Sequence, residues 1–245
     1  MSVRRNWSGL VVACGLLLWG ESAKAAIAYE AAASGTAAAA TSVSYSVTCS
    51  GANRLLLVSG ATDDAAENAS TGATHNSVGM TLKRSYPFGS FYVLDLYYLV
   101  APDTGSQTVT VTWPDAQGQV TSGAVCLSGV HQSTPLDSEA VNNANSGGPM
   151  TVDVSSATDD LVVDAGYVAG QVGAPTVGGG QTSRYSVATP DDGYGVGSTE
   201  AGAASVTMSW TLANSNGWGI IGVSVNPAAA AGGTPGAQLL LGVGR

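Results

Sequence analysis

Apolar and polar side chains alternate with a period of two through most of this chain. Val43, Tyr45 and Val47 give the first clear instance, followed by an apolar run at residues 55–58 and by Val78, Met80 and Leu82. That period sends successive side chains to opposite faces of an extended strand, whereas a helix needs a period of three to four. The strongest element runs from Phe91 to Val100. Phe91, Val93, Asp95, Tyr97 and Leu99 alternate there with Tyr92, Leu94, Leu96, Tyr98 and Val100, so both faces are largely apolar. A strand of this kind needs cover on both sides, from its own chain or from a second subunit, which makes it the expected homo-oligomer contact.

The remaining elements follow from the same pattern and its punctuation. Residues 26–40 are alanine-rich and predict a short strand at 27–30 followed by a loose connection. Residues 102–105 predict a turn, and Val109, Val111 and Trp113 form a one-faced strand that Pro114 ends, because proline cannot donate to a ladder. A turn at 114–118 then leads into a strand at 120–130. Residues 136–149 read as a polar surface loop, 173–180 as a glycine-rich connection and 189–202 as a loop. Strands are expected at 150–154, 161–168 and 185–187, with two more closing the domain. Residues 206–210 echo 109–113, which predicts two similarly placed hairpins, each sending a tryptophan inward. About ten to twelve strands without a convincing amphipathic helix define an all-β fold. A two-sheet β-sandwich of jelly-roll-like topology buries every apolar face, and crossover helices for a parallel sheet are missing from the pattern.

Composition adds a compartment. Arg4 and Arg5 precede an apolar stretch at 10–19, and Ala23-Lys24-Ala25 supplies the small-x-small signature of an export cleavage site. The expected organisation is a signal peptide over residues 1–25, a β-sandwich domain over 26–227, and an Ala/Gly-rich linker with a short apolar tail over 228–245. A rival processing point is Cys14, after Val11-Val12-Ala13, where lipidation would occur. Cleavage after Ala25 leaves 5 basic and 16 acidic residues, a net charge of −11, and no transmembrane segment. Such a charge argues against nucleic acid as a partner. Cleavage also leaves two cysteines, Cys49 and Cys126, each on or beside a strand. An oxidising compartment joins them if their Cα atoms come within about 7 Å; otherwise they pack as two small buried thiols.

Candidate chemistry is sparse. The sequence carries no metalloprotease, nucleophile-elbow, phosphate-loop or dinucleotide motif. His75 is expected to face water and His131 to cap a strand edge; a triad of Ser128 or Ser133 with His131 and Asp137 can be drawn only by spatial convergence. Loop carboxylates are richer: Asp63, Asp64, Glu67, Asp191 and Asp192 are candidate ligands for calcium, which takes six to eight oxygens. Trp113 and Trp210 are in phase with the apolar faces of their strands and belong to the core, whereas Tyr185, Tyr194 and Trp218 are the candidates for stacking on a ligand.

Residues 78–82, 97–102 with Gly105, 109–113, 127–130, Gly217-Trp218 and 221–224 together resemble exported jelly-roll-like β-sandwich modules of bacterial and phage-associated surface proteins. The resemblance spans about residues 42–227 and rests on strand and turn positions, so it carries over no catalytic residue. It implies an extracellular module for attachment, recognition or assembly. The expectation is therefore a non-catalytic structural or adhesive protein, secreted, periplasmic or at the cell surface, with a glycan or surface-protein partner. A carbohydrate-binding module, supported by calcium, and an exported hydrolase are the alternatives.

Overall fold

The computed structural model describes residues 24–63, 68–214 and 217–230. Residues 1–23 of the expected signal peptide, Cys14, Asp64, Glu67 and the tail from residue 231 lie outside the described residues. Every element among the described residues is a strand, and the protein is an all-β sandwich. The fifteen strands exceed the ten to twelve expected, and they form three sheets where two were expected.

The first sheet is built on two very long strands. β1 (Ala28–Cys49) pairs antiparallel with a strand at Gly105–Ser128 along nearly its whole length. The alanine-rich segment is therefore neither a short strand nor a loose connection, because pairing along a partner rich in valine and threonine overrides alanine's helical preference. The expected turn at 114–118 is also absent. The ladder jumps from Ala40 paired with Gln117 to Ser42 paired with Thr112, so residues 113–116 bulge out unpaired and the ribbon bends. Pro114 sits in that bulge, where its missing N–H deprives no partner.

Bending lays the two halves of the ribbon against each other. A Cβ at Gly35 would lie 2.9 Å from the Tyr45 ring ten residues on, and the Tyr45 hydroxyl is 2.7 Å from Ser122 Oγ. The Cys49–Cys126 disulfide, with its Cα atoms 5.7 Å apart, ties the same halves together and is buried.

β2 (Leu55–Asp63), β3 (Gly72–His75), β4 (Val78–Gly79), β5 (Thr81–Phe88), β6 (Tyr92–Val100) and β7 (Gly105–Ser128) complete the sheet in the order β4-β3-β7-β2-β6-β5. β4 runs through Met80, whose N–H donates to Ala73 O, directly into β5, so the sheet nearly closes on itself. Its interior holds Leu56, Val58, Tyr97, Val111, Trp113 and Cys126. The stripe Val78, Met80, Leu82 splits over two strands. Val78 and Leu82 end up exposed at 49% and 48%, because the break at Met80 turns them outward. β6 pairs with β2 on one side and β5 on the other, and residues 93–97 are buried, while Tyr98, Leu99 and Val100 are half-buried.

β8 (Leu136–Ala144), β10 (Leu161–Ala169), β12 (Thr182–Ala188), β13 (Tyr194–Ala201) and β15 (Gly217–Val225) form the second sheet, in the order β12-β13-β10-β15-β8. β9 (Met150–Ser155), β11 (Thr176–Val177) and β14 (Ser205–Thr211) form the third. Two expected loops are strands. Residues 136–144 make a half-exposed edge strand, whose outer positions are polar, and residues 194–201 pair on both sides. Alternation on β10 and β15 explains the third layer. Val163, Tyr167, Ile221 and Val223 face the first sheet, while Val162, Val168, Trp218 and Ile220 face Met208 and Trp210. Two adjacent strands with both faces apolar need a sheet on each side.

Trp113 and Trp210 are both buried, as expected. The two hairpins expected around them do not form. Trp113 lies in one bent strand, and β14 and β15 belong to different sheets.

Candidate functional site

Tyr185 and Trp218 offer no ring to a ligand. Tyr185 is 8% exposed, wedged between Gly123 of β7 and Gly197 of β13, with its hydroxyl 2.9 Å from Ser59 Oγ. Burial pushes that hydroxyl's pKa up. Alternation with Ser183 and Val187 conceals this, because the two glycines that make room for the ring are remote in sequence. Trp218 is buried, and its Nε1–H donates to Gly147 O at 2.6 Å. Tyr194 is half-buried against the core shared by the second and third sheets.

The acidic candidates partly converge. Asp63 ends β2, Asp191 and Asp192 lie in the turn between β12 and β13, and the fold brings both segments to one end of the sandwich. The Tyr167 hydroxyl donates to Asp63 Oδ2 at 3.4 Å, and Gln119 Nε2 donates to Asp191 Oδ2 at 2.6 Å. Tyr167 and Tyr92 have raised pKa values, from burial first and then from Asp63 and Asp192 among the nearby charges. Among the described residues, no three His, Cys, Asp or Glu side chains approach closely enough to hold a metal ion.

Beside this acidic end lies a groove of about 340 Å³ lined by Gly89, Ser90, Phe91, Tyr92, Asn145 and Gly217. Gly89, at φ +63°, turns the chain out of β5, and Phe91 precedes β6 with 48% of its surface exposed. Tyr92 meets Phe91 edge-on, with ring centroids 6.4 Å apart, and lies 5.9 Å from Tyr167. A side chain at Gly217 would begin 3.1 Å from the Tyr92 ring, so glycine keeps that wall of the groove open. An exposed ring, an adjoining tyrosine, an amide and a hydroxyl make a surface suited to stacking and hydrogen bonding. The alternating pattern alone assigns Phe91 to the strand. The signal that separates it is the Gly89-Ser90 turn immediately before.

Among the described residues, His131 and Ser128 are hydrogen-bonded to other partners. His131 Nδ1 accepts from Thr134 N at 3.0 Å and Ser133 N at 3.3 Å, closing its own turn, while Ser128 Oγ donates to Glu30. His75, expected to face water, is fully buried on β3, because residues 72–75 pair with β7 and direct Ala73 and His75 inward. Neither ring nitrogen has a hydrogen-bond partner. Burial pushes its pKa below the ordinary imidazole value, with Asp103 opposing. The neutral ring is therefore the folded form, and its contribution to stability is present above the unfolded pKa of about 6.5 and lost as pH falls below it. Urea midpoints measured between pH 7.5 and 5 are expected to fall through this group, and His75→Leu is expected to remove that component.

Comparison with protein-family models, with curated proteins and with solved structures finds no match to this chain.

Proposed function

We propose that this chain is an exported, non-catalytic structural or adhesive module. The observation that carries the reading is the Cys49–Cys126 disulfide, fully buried where it pins the folded-over ribbon. A bond in that position forms and persists in an oxidising compartment. The signal-like amino terminus, the acidic charge and the resemblance to exported sandwich modules point the same way.

Carbohydrate binding is the second reading, favoured by the groove at Phe91. A sugar ring stacks on an exposed aromatic face while Asn145 and Ser90 meet its hydroxyl groups. Intact mass of protein recovered outside the cytoplasm tests the first reading: it should lack residues 1–25 and carry two hydrogens fewer than the reduced chain. Recovery of only unprocessed, reduced protein from the cytosol overturns it, and turnover of a polysaccharide or ester overturns the non-catalytic part. For the groove, Phe91→Ala is expected to weaken binding on a glycan array about tenfold or more, corresponding to the loss of one stacking contact of ~1.5 kcal/mol. Unchanged binding, or no binding by the parent chain, removes the sugar reading and leaves attachment to surface protein.

A further inference from the structure

Just before β1, residues 24–26 are held firmly. Lys24 bridges to Ala229, Ala25 N–H donates to Ala228 O at 2.7 Å, and the Ala26 carbonyl occupies the space that a side chain on Gly129 would need. Beside them is a pocket of about 280 Å³ lined by Lys24, Ala26, Ile27, Asp159, Asp160 and Leu161. Asp160 is its buried group, with a side chain only 2% exposed. One carboxylate oxygen is saturated: Oδ2 accepts from Ala157 N at 3.0 Å, Ser224 Oγ at 3.0 Å and Ser156 Oγ at 3.4 Å. The other, Oδ1, has Lys24 Nζ at 4.0 Å as its cation.

Export processing after Ala25 removes that cation. A buried carboxylate left without its partner is strongly destabilising. The same hydrolysis creates a replacement, because Ala26, two residues along, lines the same pocket. We infer that cleavage of the Ala25–Ala26 bond exchanges the counter-ion of Asp160, and that the new α-ammonium of Ala26 docks in this pocket and locks β1 in the mature fold. Water supplies the hydroxyl to the Ala25 carbonyl carbon and a proton to the Ala26 nitrogen. The freed amine takes a second proton from solvent and becomes the ammonium. This inference rests on the export reading.

A double-mutant cycle tests it on chains that begin at Ala26, with the amine free or acetylated and with Asp160 or Asp160→Asn. Acetylation and Asp160→Asn are each expected to lower the folding equilibrium constant about tenfold, as for a hydrogen bond between charged groups. The two together should cost little more than either alone. In the parent chain the α-amine should titrate above the ordinary value of about 7.7–8.0, by chemical labelling rate or NMR, because a carboxylate favours the ammonium. Should Asp160→Asn not fold, the amine titration decides. Additive losses, or an amine titrating at its ordinary value, overturn the docking. A mature exported chain that begins at another residue instead sinks the cleavage site assumed by the export reading, a failure read by mass and separate from the cycle.

Discussion

Gly123→Ala is expected to destabilise the protein by about 3 kcal/mol or to prevent folding, although it adds one methyl group to a strand. A Cβ at that position would overlap the Tyr185 ring, and a Cβ at Gly197 would overlap the same ring. With β7 and β13 both closing on it, the ring has nowhere to retreat. The wedge joins two sheets: Ser59 Oγ receives the Gly123 N–H at 3.1 Å and lies 2.9 Å from the Tyr185 hydroxyl. Tyr185→Ala is expected to cost about 3–5 kcal/mol as an aromatic deletion from a core. The decisive measurement is the pair of substitutions together, by urea denaturation. Removing the ring makes room for the methyl group, so the double variant should lose much less than the sum of the two single losses. Strict additivity would show that the glycine matters for some reason other than this ring. Tyr185→Phe should cost only about 1 kcal/mol, since Ser59 retains its bond from Gly123.

That wedge also shows where the sequence stops being informative. Strands with strong local signals were legible: the apolar faces of β2, β6 and β10, the inward tryptophans, and two cysteines placed beside strands. What was hidden depends on partners remote in the chain. The alanine-rich first half of β1 reads as a short strand and a loose connection because its strand character comes from pairing with β7, and β13 reads as a loop because its glycines exist to admit Tyr185 and Thr121. The bend of β7 looks like a turn, since proline and glycine mark a bulge and a reversal alike. The site suffers in the same way. Asp63 and Asp192 were visible as charged loops, but their approach to Tyr167 is a product of sheet order. Phe91 was visible as apolar, and apart from the Gly89-Ser90 turn before it nothing in the alternation sets it outside the strand that begins at Tyr92.

The second large effect is expected at Asp164, which the period-two pattern places on β10 without explaining it. Its carboxylate is buried and accepts from three donors: Ser198 N at 2.6 Å, Trp210 Nε1 at 2.9 Å and Gln181 Nε2 at 3.4 Å. Burial pushes its pKa up to about 6, against hydrogen bonds from Trp210 and Ser198 that act to lower it. Below about pH 6 the folded state therefore holds a proton that the unfolded chain releases near 3.8. The stability that this proton supplies is fully present below the unfolded value and is lost as pH rises through about 6, a loss on the order of 3 kcal/mol by pH 7 to 8. His75 acts in the opposite direction over the same window, so the wild-type curve alone does not isolate Asp164. Asp164→Leu should cost about 3 kcal/mol or more at pH 5, because the Ser198 and Trp210 N–H groups both lose their acceptor at about 1–3 kcal/mol each. Asp164→Asn is more telling. Its single amide oxygen satisfies one of those two donors and turns an NH₂ group toward the other, so this variant should also be the weaker protein at pH 5. Its deficit should then shrink as pH rises to 7, because only the parent has a proton to lose. Urea midpoints of the two proteins at several pH values read that convergence directly, and a gap that stays constant between pH 5 and 7 would show that Asp164 is already ionised in the fold.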